Sequence, residues 1–267
     1  MIRAILLIFL FIILSILSCL GAWTEEPWLI LVSTITSALL GTAVSIAFEK
    51  IDFYGQGFKL WLQQIKYSKK DIRLSFSYLF KIEVNGKYLL VKGNRLKRQF
   101  QPIGGVYKYY PEAKSTLDEF HFRPDTRMNN HDETDDLRIT IKGKYLLKYM
   151  KWFLSMKDRE YDPHREFIEE LIDTELLPKD LFKSLKYRKV SVHNKEITYS
   201  KYNQCDEFIY ADIFELLLNY EQKEAVLSAV KKHPNELCLA SDVELKSECY
   251  NGIDKNIGNN AKWIIGE

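Results

Sequence analysis

Two long apolar stretches at the N-terminus constrain the fold of this chain more than any other feature. Residues 4–23 (AILLIFLFIILSILSCLGAW) and residues 27–48 (PWLILVSTITSALLGTAVSIAF) are separated only by Thr24, Glu25 and Glu26. Each stretch is close to the ~20 helical residues that cross a hydrocarbon core of ~30 Å. We therefore predict a transmembrane helical hairpin in residues 1–49. A signal peptide that ends near Cys19 is the alternative for the first stretch, and it would leave a single span.

Positive charge lies on one side of the predicted hairpin. Arg3 precedes the first span, and lysines follow the second span at Lys50, Lys59, Lys66, Lys69 and Lys70. Because cytoplasmic flanks are enriched in Lys and Arg, this distribution places both termini in the cytoplasm.

Small residues recur every four positions in the second span, at Ser33, Ser37, Gly41 and Ser45. Such a stripe lets helix backbones approach closely in lipid. It predicts a packing face, either against the first span of the same chain or between chains in a homo-oligomer.

Overall charge and cysteine content exclude several classes of protein. The 38 Lys and Arg residues nearly balance the 36 Asp and Glu residues, so we expect no DNA or RNA polymer as a partner. The four cysteines form no CxxC pair. This argues against a zinc site and a disulfide framework, and it suits a reducing compartment.

After the predicted spans, residues 50–77 are interpreted as a juxtamembrane connector and residues 78–267 as a globular domain. Residues 78–93 contain two β-type runs joined by Asn85-Gly86, which favours a type I′ hairpin turn. Apolar periodicity predicts helices at 144–157, 164–177 and near 221–232. Because strands and helices are mixed rather than regularly alternating, the fold class is α+β.

The helix predicted at 164–177 contains the sequence REFIEEL, residues 165–171. Glu166, Glu169 and Glu170 have i, i+3 and i+4 spacing, so the three carboxylates should face one way. Oxygen ligands of this kind suit Mg²⁺, which is the candidate cofactor. A solvated acidic face explains the same spacing, because exposed like-charge pairs cost only a few tenths of a kcal/mol.

The order of a β-hairpin, the sequence QPIGGVY and a helix with Arg-Glu-apolar-any-Glu-Glu resembles the Nudix family. Arg165, Glu166, Phe167, Glu169 and Glu170 match the second half of the Nudix box. The first half differs: Lys157 stands where the box has its first Glu, and Lys151 where it has its first Gly. About 60 residues separate Gly105 from Arg165, which indicates an insertion at about 111–160.

The stretches RLSFSYLFKIEVNGKYLLVKGNRLKRQFQPIGGVYKYY and DREYDPHREFIEEL are similar to SMODS-associated Nudix domains, which accompany cyclic-oligonucleotide synthases in bacterial anti-phage (CBASS) operons. The resemblance implies a Nudix-like mixed sheet between helices. It also implies a two-pass protein of the bacterial inner membrane that senses a cyclic di- or trinucleotide, oligomerises and disrupts the bilayer.

Candidate ligand contacts follow from the basic loop and the glycine pair. Arginine and lysine side chains and free backbone amides can hold phosphates. The predicted nucleotide-binding residues are Lys92, Arg95, Arg98, Gly104, Gly105 and Arg165. A solvated hairpin tip is the alternative for the basic loop.

Two other functions remain open at this point. One is a membrane-tethered, Mg²⁺-dependent hydrolase of nucleoside diphosphate derivatives, with Glu169 or Glu170 as metal ligand or base. The other is a structural membrane anchor whose domain binds no nucleotide.

Overall fold

The computed structural model describes residues 16, 34, 35, 38, 57, 59–93, 99–125, 135–194 and 196–266. The chain divides into two compact units, Met1–Leu62 and Gln63–Glu267. The described residues of the first unit are helical. No helix among the described residues is both long and apolar enough to cross a bilayer. Nearly all of the two predicted spans, including Ser33, Ser37, Gly41 and Ser45, lies outside the described residues.

The second unit is built from strands and short helices. The strands are β1 (Asp71–Lys81), β2 (Glu83–Val84), β3 (Lys87–Lys92), β4 (Phe100–Gln101), β5 (Gly104–Val106), β6 (Arg123–Pro124), β7 (Arg138–Lys142), β8 (Tyr187–Asn194), β9 (Thr198–Ser200), β10 (Cys205–Leu216) and β11 (Leu237–Ala240). The α-helices are α1 (Lys114–Glu119), α2 (Leu146–Leu154), α3 (His164–Phe167), α4 (Tyr220–Lys232) and α5 (Asp242–Ser247). A π turn, Ile168–Ile172, directly follows α3.

The larger sheet is mixed and is centred on β1. Its strand order is β6-β7-β1-β10-β8, with β5 also paired to β1 and β9 to β10. Strands β1 and β10 are parallel, whereas β7 and β5 are antiparallel to β1. The smaller sheet has the order β11-β3-β2, with β4 paired to β3. The prediction of a mixed α+β fold is confirmed.

Strand β1 is covered on both faces, and its residues 78–80 form a continuous apolar run. Phe76 packs against Phe153 of α2 at 4.4 Å between ring centroids, and Phe80 contacts Phe167 of α3 at 5.8 Å. Leu79 points to the opposite face of the sheet. It belongs to a buried cluster that includes Leu90 of β3 and Ile264 near the C-terminus. A continuous apolar run is expected where both faces of a strand are covered, whereas residues 71–78 alternate between polar and apolar side chains.

The turn between β2 and β3 has the predicted form. Asn85 and Gly86 both have positive φ, at 53° and 75°, as a type I′ turn requires. The helix predicted at 144–157 is α2, and the helix predicted near 221–232 is α4. A capping box begins α4, with Asn219 accepting from the amide of Gln222 at 2.8 Å.

Two boundaries differ from the sequence interpretation. Residues 71–77, assigned to the connector, form the first half of β1, which is buried by its pairing with β7 and β10. The segment 111–160, interpreted as an insertion, supplies β7 and α2, which pack on β1; that it is an insertion stays a prediction. The helix predicted at 164–177 stops at Ile172, and the chain then turns through Glu175, which has a φ of 58°.

Candidate functional site

Helix α3 and the π turn after it form one wall of the site. The carboxylate of Asp162 accepts a hydrogen bond from the amide of His164 at 3.0 Å, so Asp162 satisfies one of the first amides of the helix. Phe167 is fully buried and contacts Phe80 and Phe182. The π turn is closed by a hydrogen bond from the amide of Asp173 to the carbonyl of Ile168 at 2.8 Å.

Two glycines let strand β5 lie directly beneath α3. A Cβ atom added to Gly105 would fall on the carboxylate of Glu166. Gly104 has a φ of 151°, and an added Cβ there would strike the carbonyl of Tyr78. The amide of Gly104 donates to Glu170 Oε2 at 3.2 Å. Glycine is therefore required at both positions by close approach of the backbone, at Gly105 to a carboxylate and at Gly104 to another strand.

Arg165 is held by five contacts within the domain. Its Nε and Nη2 donate to the two carboxylate oxygens of Glu160, at 3.0 and 3.3 Å. Nη1 donates to Glu166 at 2.7 Å and to Glu169 at 3.3 Å. Nη2 also donates to the carbonyl of Val106 at 3.0 Å. Since a guanidinium has five N–H donors, this set accounts for all of them, and Arg165 joins α3 to the end of β5.

Glu160, in the loop before α3, accepts two of these hydrogen bonds. We call Arg165 and its hydrogen-bond partners the Arg165 clamp. The Glu160 side chain is largely buried, and its Oε2 also accepts from the amide of Lys108 at 3.2 Å. Burial alone lowers the pKa of Arg165, but the hydrogen bond to Glu160 and the nearby negative charges raise it overall. Arg165 is therefore permanently charged.

The three glutamates of α3 and the π turn have different environments. Glu169 is exposed, with 52% of its side-chain surface accessible, whereas the Glu166 side chain is only 17% accessible. Burial raises the pKa of Glu166 despite the opposing charge of Arg165. Burial, together with the charge of Glu166, raises the pKa of Glu170 to about 8. Glu170 is therefore mostly protonated at neutral pH.

Mg²⁺ was the cofactor expected from these three carboxylates. Glu166 faces Arg165 and Glu170 faces the amide of Gly104, while Glu169 is exposed. Among the described residues, no group of three or more His, Cys, Asp or Glu side chains is arranged as a metal site. The assignment of Mg²⁺ to Glu166, Glu169 and Glu170 stays a prediction.

A cavity of about 370 Å³ opens beside Glu170. A volume of this size is at the lower end of the range for ligand pockets. It lies between the end of β3, the segment that follows the π turn, and the residue before β11. Its lining residues are Val91, Lys92, Gly93, Glu170, Thr174, Leu176 and Glu236.

The structure brings only some of the predicted nucleotide contacts to this cavity. Lys92 lines it, whereas Gly104 reaches it only through its hydrogen bond to Glu170. Gly105 and Arg165 are engaged with Glu166. Arg95 and Arg98 lie outside the described residues. The assignment of these residues to nucleotide binding stays a prediction.

Sequence reasoning missed two important carboxylates. Glu160 stands five residues before Arg165 within DREYDPHREF. It was not predicted as a partner of Arg165 because it lies outside the predicted helix, although it accepts from Arg165 in the structure. Glu236 follows Glu170 by 66 positions. It reaches the cavity because its carbonyl accepts from the amide of Lys92 at 2.7 Å, which joins the segment before β11 to β3. No local pattern could have revealed that contact.

Comparison with known families gives one match. The family profile described as the SMODS-associated NUDIX domain matches residues 71–265, from the first residue of β1 to the end of the C-terminal 3₁₀ helix, Asn259–Ile265. A search of the curated proteins found no match.

Proposed function

The chain belongs to the SMODS-associated NUDIX domain family, and we propose that it is a membrane-anchored receptor-effector of anti-phage defence. In this proposal the NUDIX domain binds a cyclic di- or trinucleotide, and binding drives the N-terminal spans to oligomerise and disrupt the bacterial inner membrane. The cavity beside α3 carries the proposal, because it combines a cationic residue with a volume suited to part of a nucleotide.

The cationic side of the cavity supports phosphate binding. Lys92 is exposed at the end of β3 and lines the cavity. Arg95 and Arg98 follow Lys92 by three and six positions, and the proposal includes both as further phosphate contacts. The two ends of this loop are held together, since the amide of Gly93 donates to the carbonyl of Gln99 at 2.8 Å.

The clamp around Arg165 supports a binding role over hydrolysis. The carboxylates that a hydrolase would use are paired with Arg165 or with the Gly104 amide. These contacts join β5 to α3 and to the π turn, which supplies Glu170 to the cavity lining, and such preorganisation favours ligand binding.

Coupling to the membrane requires that the ligand bind the oligomeric, membrane-disrupting state more tightly than the inactive state. A hundredfold population shift needs a difference of about 3 kcal/mol in binding free energy. The stripe Ser33, Ser37, Gly41 and Ser45 is the proposed oligomer interface. Gly41→Leu should therefore preserve nucleotide binding and abolish bilayer disruption, because a bulky side chain prevents close helix approach.

The proposal is tested with the full chain reconstituted in dye-filled vesicles. Cyclic nucleotides added on the side of the NUDIX domain should release the dye. Lys92→Gln should raise the concentration needed about tenfold or more, because a charged hydrogen bond is lost. The control is Lys87→Gln, an exposed lysine at the other end of β3. Dye release that no cyclic nucleotide alters would refute the proposal and favour a structural anchor.

A hydrolase of nucleoside diphosphate derivatives is the second candidate, and one observation favours it. The pKa of Glu170, raised to about 8 by burial and the charge of Glu166, is close to the operating pH of a general acid or base. Glu170→Gln separates the two functions. A hydrolase would lose turnover, whereas a receptor would still bind its nucleotide and release dye.

A further inference from the structure

The wall of the cavity beside α3 carries two carboxyl groups and one cationic group. Glu170 and Glu236 both line it, and Lys92 is its one cationic lining residue among the described residues. Glu236 is exposed and directly precedes β11. A phosphate placed between these two glutamates would meet like charge or a neutral acid rather than a cation. The interior is therefore unsuited to phosphate, and phosphate fits only the side where Lys92 lies.

The same wall is well suited to a flat heterocycle. Val91 and Leu176 provide apolar surface. Thr174 donates its hydroxyl hydrogen to the carbonyl of Glu170 at 2.7 Å, so its oxygen lone pairs remain able to accept. The ionised carboxylate of Glu236 can only accept. The polar groups of the wall are thus mainly hydrogen-bond acceptors, and they favour a ligand that carries hydrogen-bond donors.

We propose that this cavity holds one base of the cyclic oligonucleotide and selects a base that carries an exocyclic amino group, with the carboxylate of Glu236 accepting from that group. The inference rests on the proposed function and adds the substrate class. Adenine, guanine and cytosine carry such an amino group, whereas uracil and hypoxanthine do not. The remaining base or bases and the ring phosphates stay outside the interior, with the phosphates toward Lys92.

Glu170, the second carboxyl group of the cavity wall, supports the selection of an amino-bearing base. Because burial raises its pKa to about 8, the acid offers an O–H donor at neutral pH as well as an acceptor oxygen. Adenine and cytosine present an acceptor nitrogen next to the amino group, so either could pair with both oxygens of a neutral acid.

The test first finds the tightest-binding cyclic oligonucleotide and then compares it with an analogue that lacks only the amino group. The full chain in detergent is titrated with cyclic di-AMP, cyclic di-GMP, cyclic di-UMP and cyclic tri-AMP. The analogue of the tightest binder that lacks only the amino group is then measured: inosine in place of guanosine, or purine riboside in place of adenosine. We expect the analogue to bind at least about tenfold more weakly, because an acceptor is left unpaired.

Variants assign the effect to Glu236. Glu236→Ala should weaken the amino-bearing ligand about tenfold and leave its analogue unchanged. Glu224→Ala, which removes an exposed carboxylate of α4 outside the cavity lining, should change neither. Equal loss for both ligands in Glu236→Ala would overturn the inference, as would equal binding of ligand and analogue or tightest binding of cyclic di-UMP. In these cases the nucleotide still binds and the proposed function stands. If no panel member binds, the proposed function fails and the inference fails with it.

Discussion

Replacement of Glu170 by glutamine should change how the stability of the domain depends on pH. The pKa of Glu170 is about 8 in the folded chain, against an ordinary value of 4.5. The folded state therefore holds its proton more tightly than the unfolded state, and stability is lost as pH rises from about 4.5 to about 8. A difference of about 3.5 pH units at about 1.4 kcal/mol each gives a loss of up to about 5 kcal/mol.

Glutamine is the matched replacement because it is neutral at every pH and keeps an acceptor oxygen for the Gly104 amide. At pH 5 the variant and the parent chain should have similar free energies of unfolding. At pH 9 the variant should be more stable by several kcal/mol, because it avoids the cost of ionising a buried carboxylic acid.

Urea unfolding of the full chain in one detergent, at pH 5, 7 and 9, measures this difference. Glu224→Gln is the control, since Glu224 is an exposed glutamate of α4 and is not among the groups that shift the pKa of Glu170. It should leave the pH profile of the parent chain unchanged. Superimposable profiles for Glu170→Gln and the parent chain from pH 5 to 9 would refute the burial of a protonated carboxyl at this position.

Two further substitutions test the wall formed by β5 and α3. Gly105→Ala places a methyl group on the carboxylate of Glu166 and should cost about 1–3 kcal/mol of stability. Gly57→Ala, whose added group would meet no described residue within 4 Å outside its own helix, should cost nothing, and equal effects would contradict the close approach. Arg165→Lys loses the paired contacts to a buried carboxylate and should cost about 2 kcal/mol. Arg188→Lys, a 66% exposed arginine, should cost under about 0.5 kcal/mol, and a similar cost for both would remove the case for a clamp. Urea unfolding measures all four variants.

Local patterns predicted the parts of the fold that depend on neighbours in the sequence. Asn85-Gly86 predicted the turn between β2 and β3, because a type I′ turn needs positive φ at both positions. The periodicity of residues 144–157 predicted α2. Both features are fixed by residues only a few positions apart.

Pairings between distant residues could not be predicted in the same way. Strand β1 runs parallel to β10, with Arg73 opposite Glu207, and no local signal specifies that partner. The early start of β1, by contrast, was overlooked, although residues 71–78 alternate between polar and apolar side chains, which is a local strand signal.

The candidate site was predicted in part for the same reason. REFIEEL pointed to α3 and the π turn as a candidate site, but helical spacing could not show that Glu170 is partly buried while Glu169 is exposed. That difference depends on the π turn and on strand β5. The cavity also needs Glu236, whose contact with the site arises only when β11 pairs with β3.

The most direct test of the central claim is calorimetric titration of the full chain with cyclic di- and trinucleotides, with and without Mg²⁺, followed by chromatography of the recovered ligand. The account predicts that one cyclic nucleotide binds and is recovered intact under both conditions. Recovery of a cleaved product only when Mg²⁺ is present would contradict the receptor function and identify α3 as part of a catalytic site.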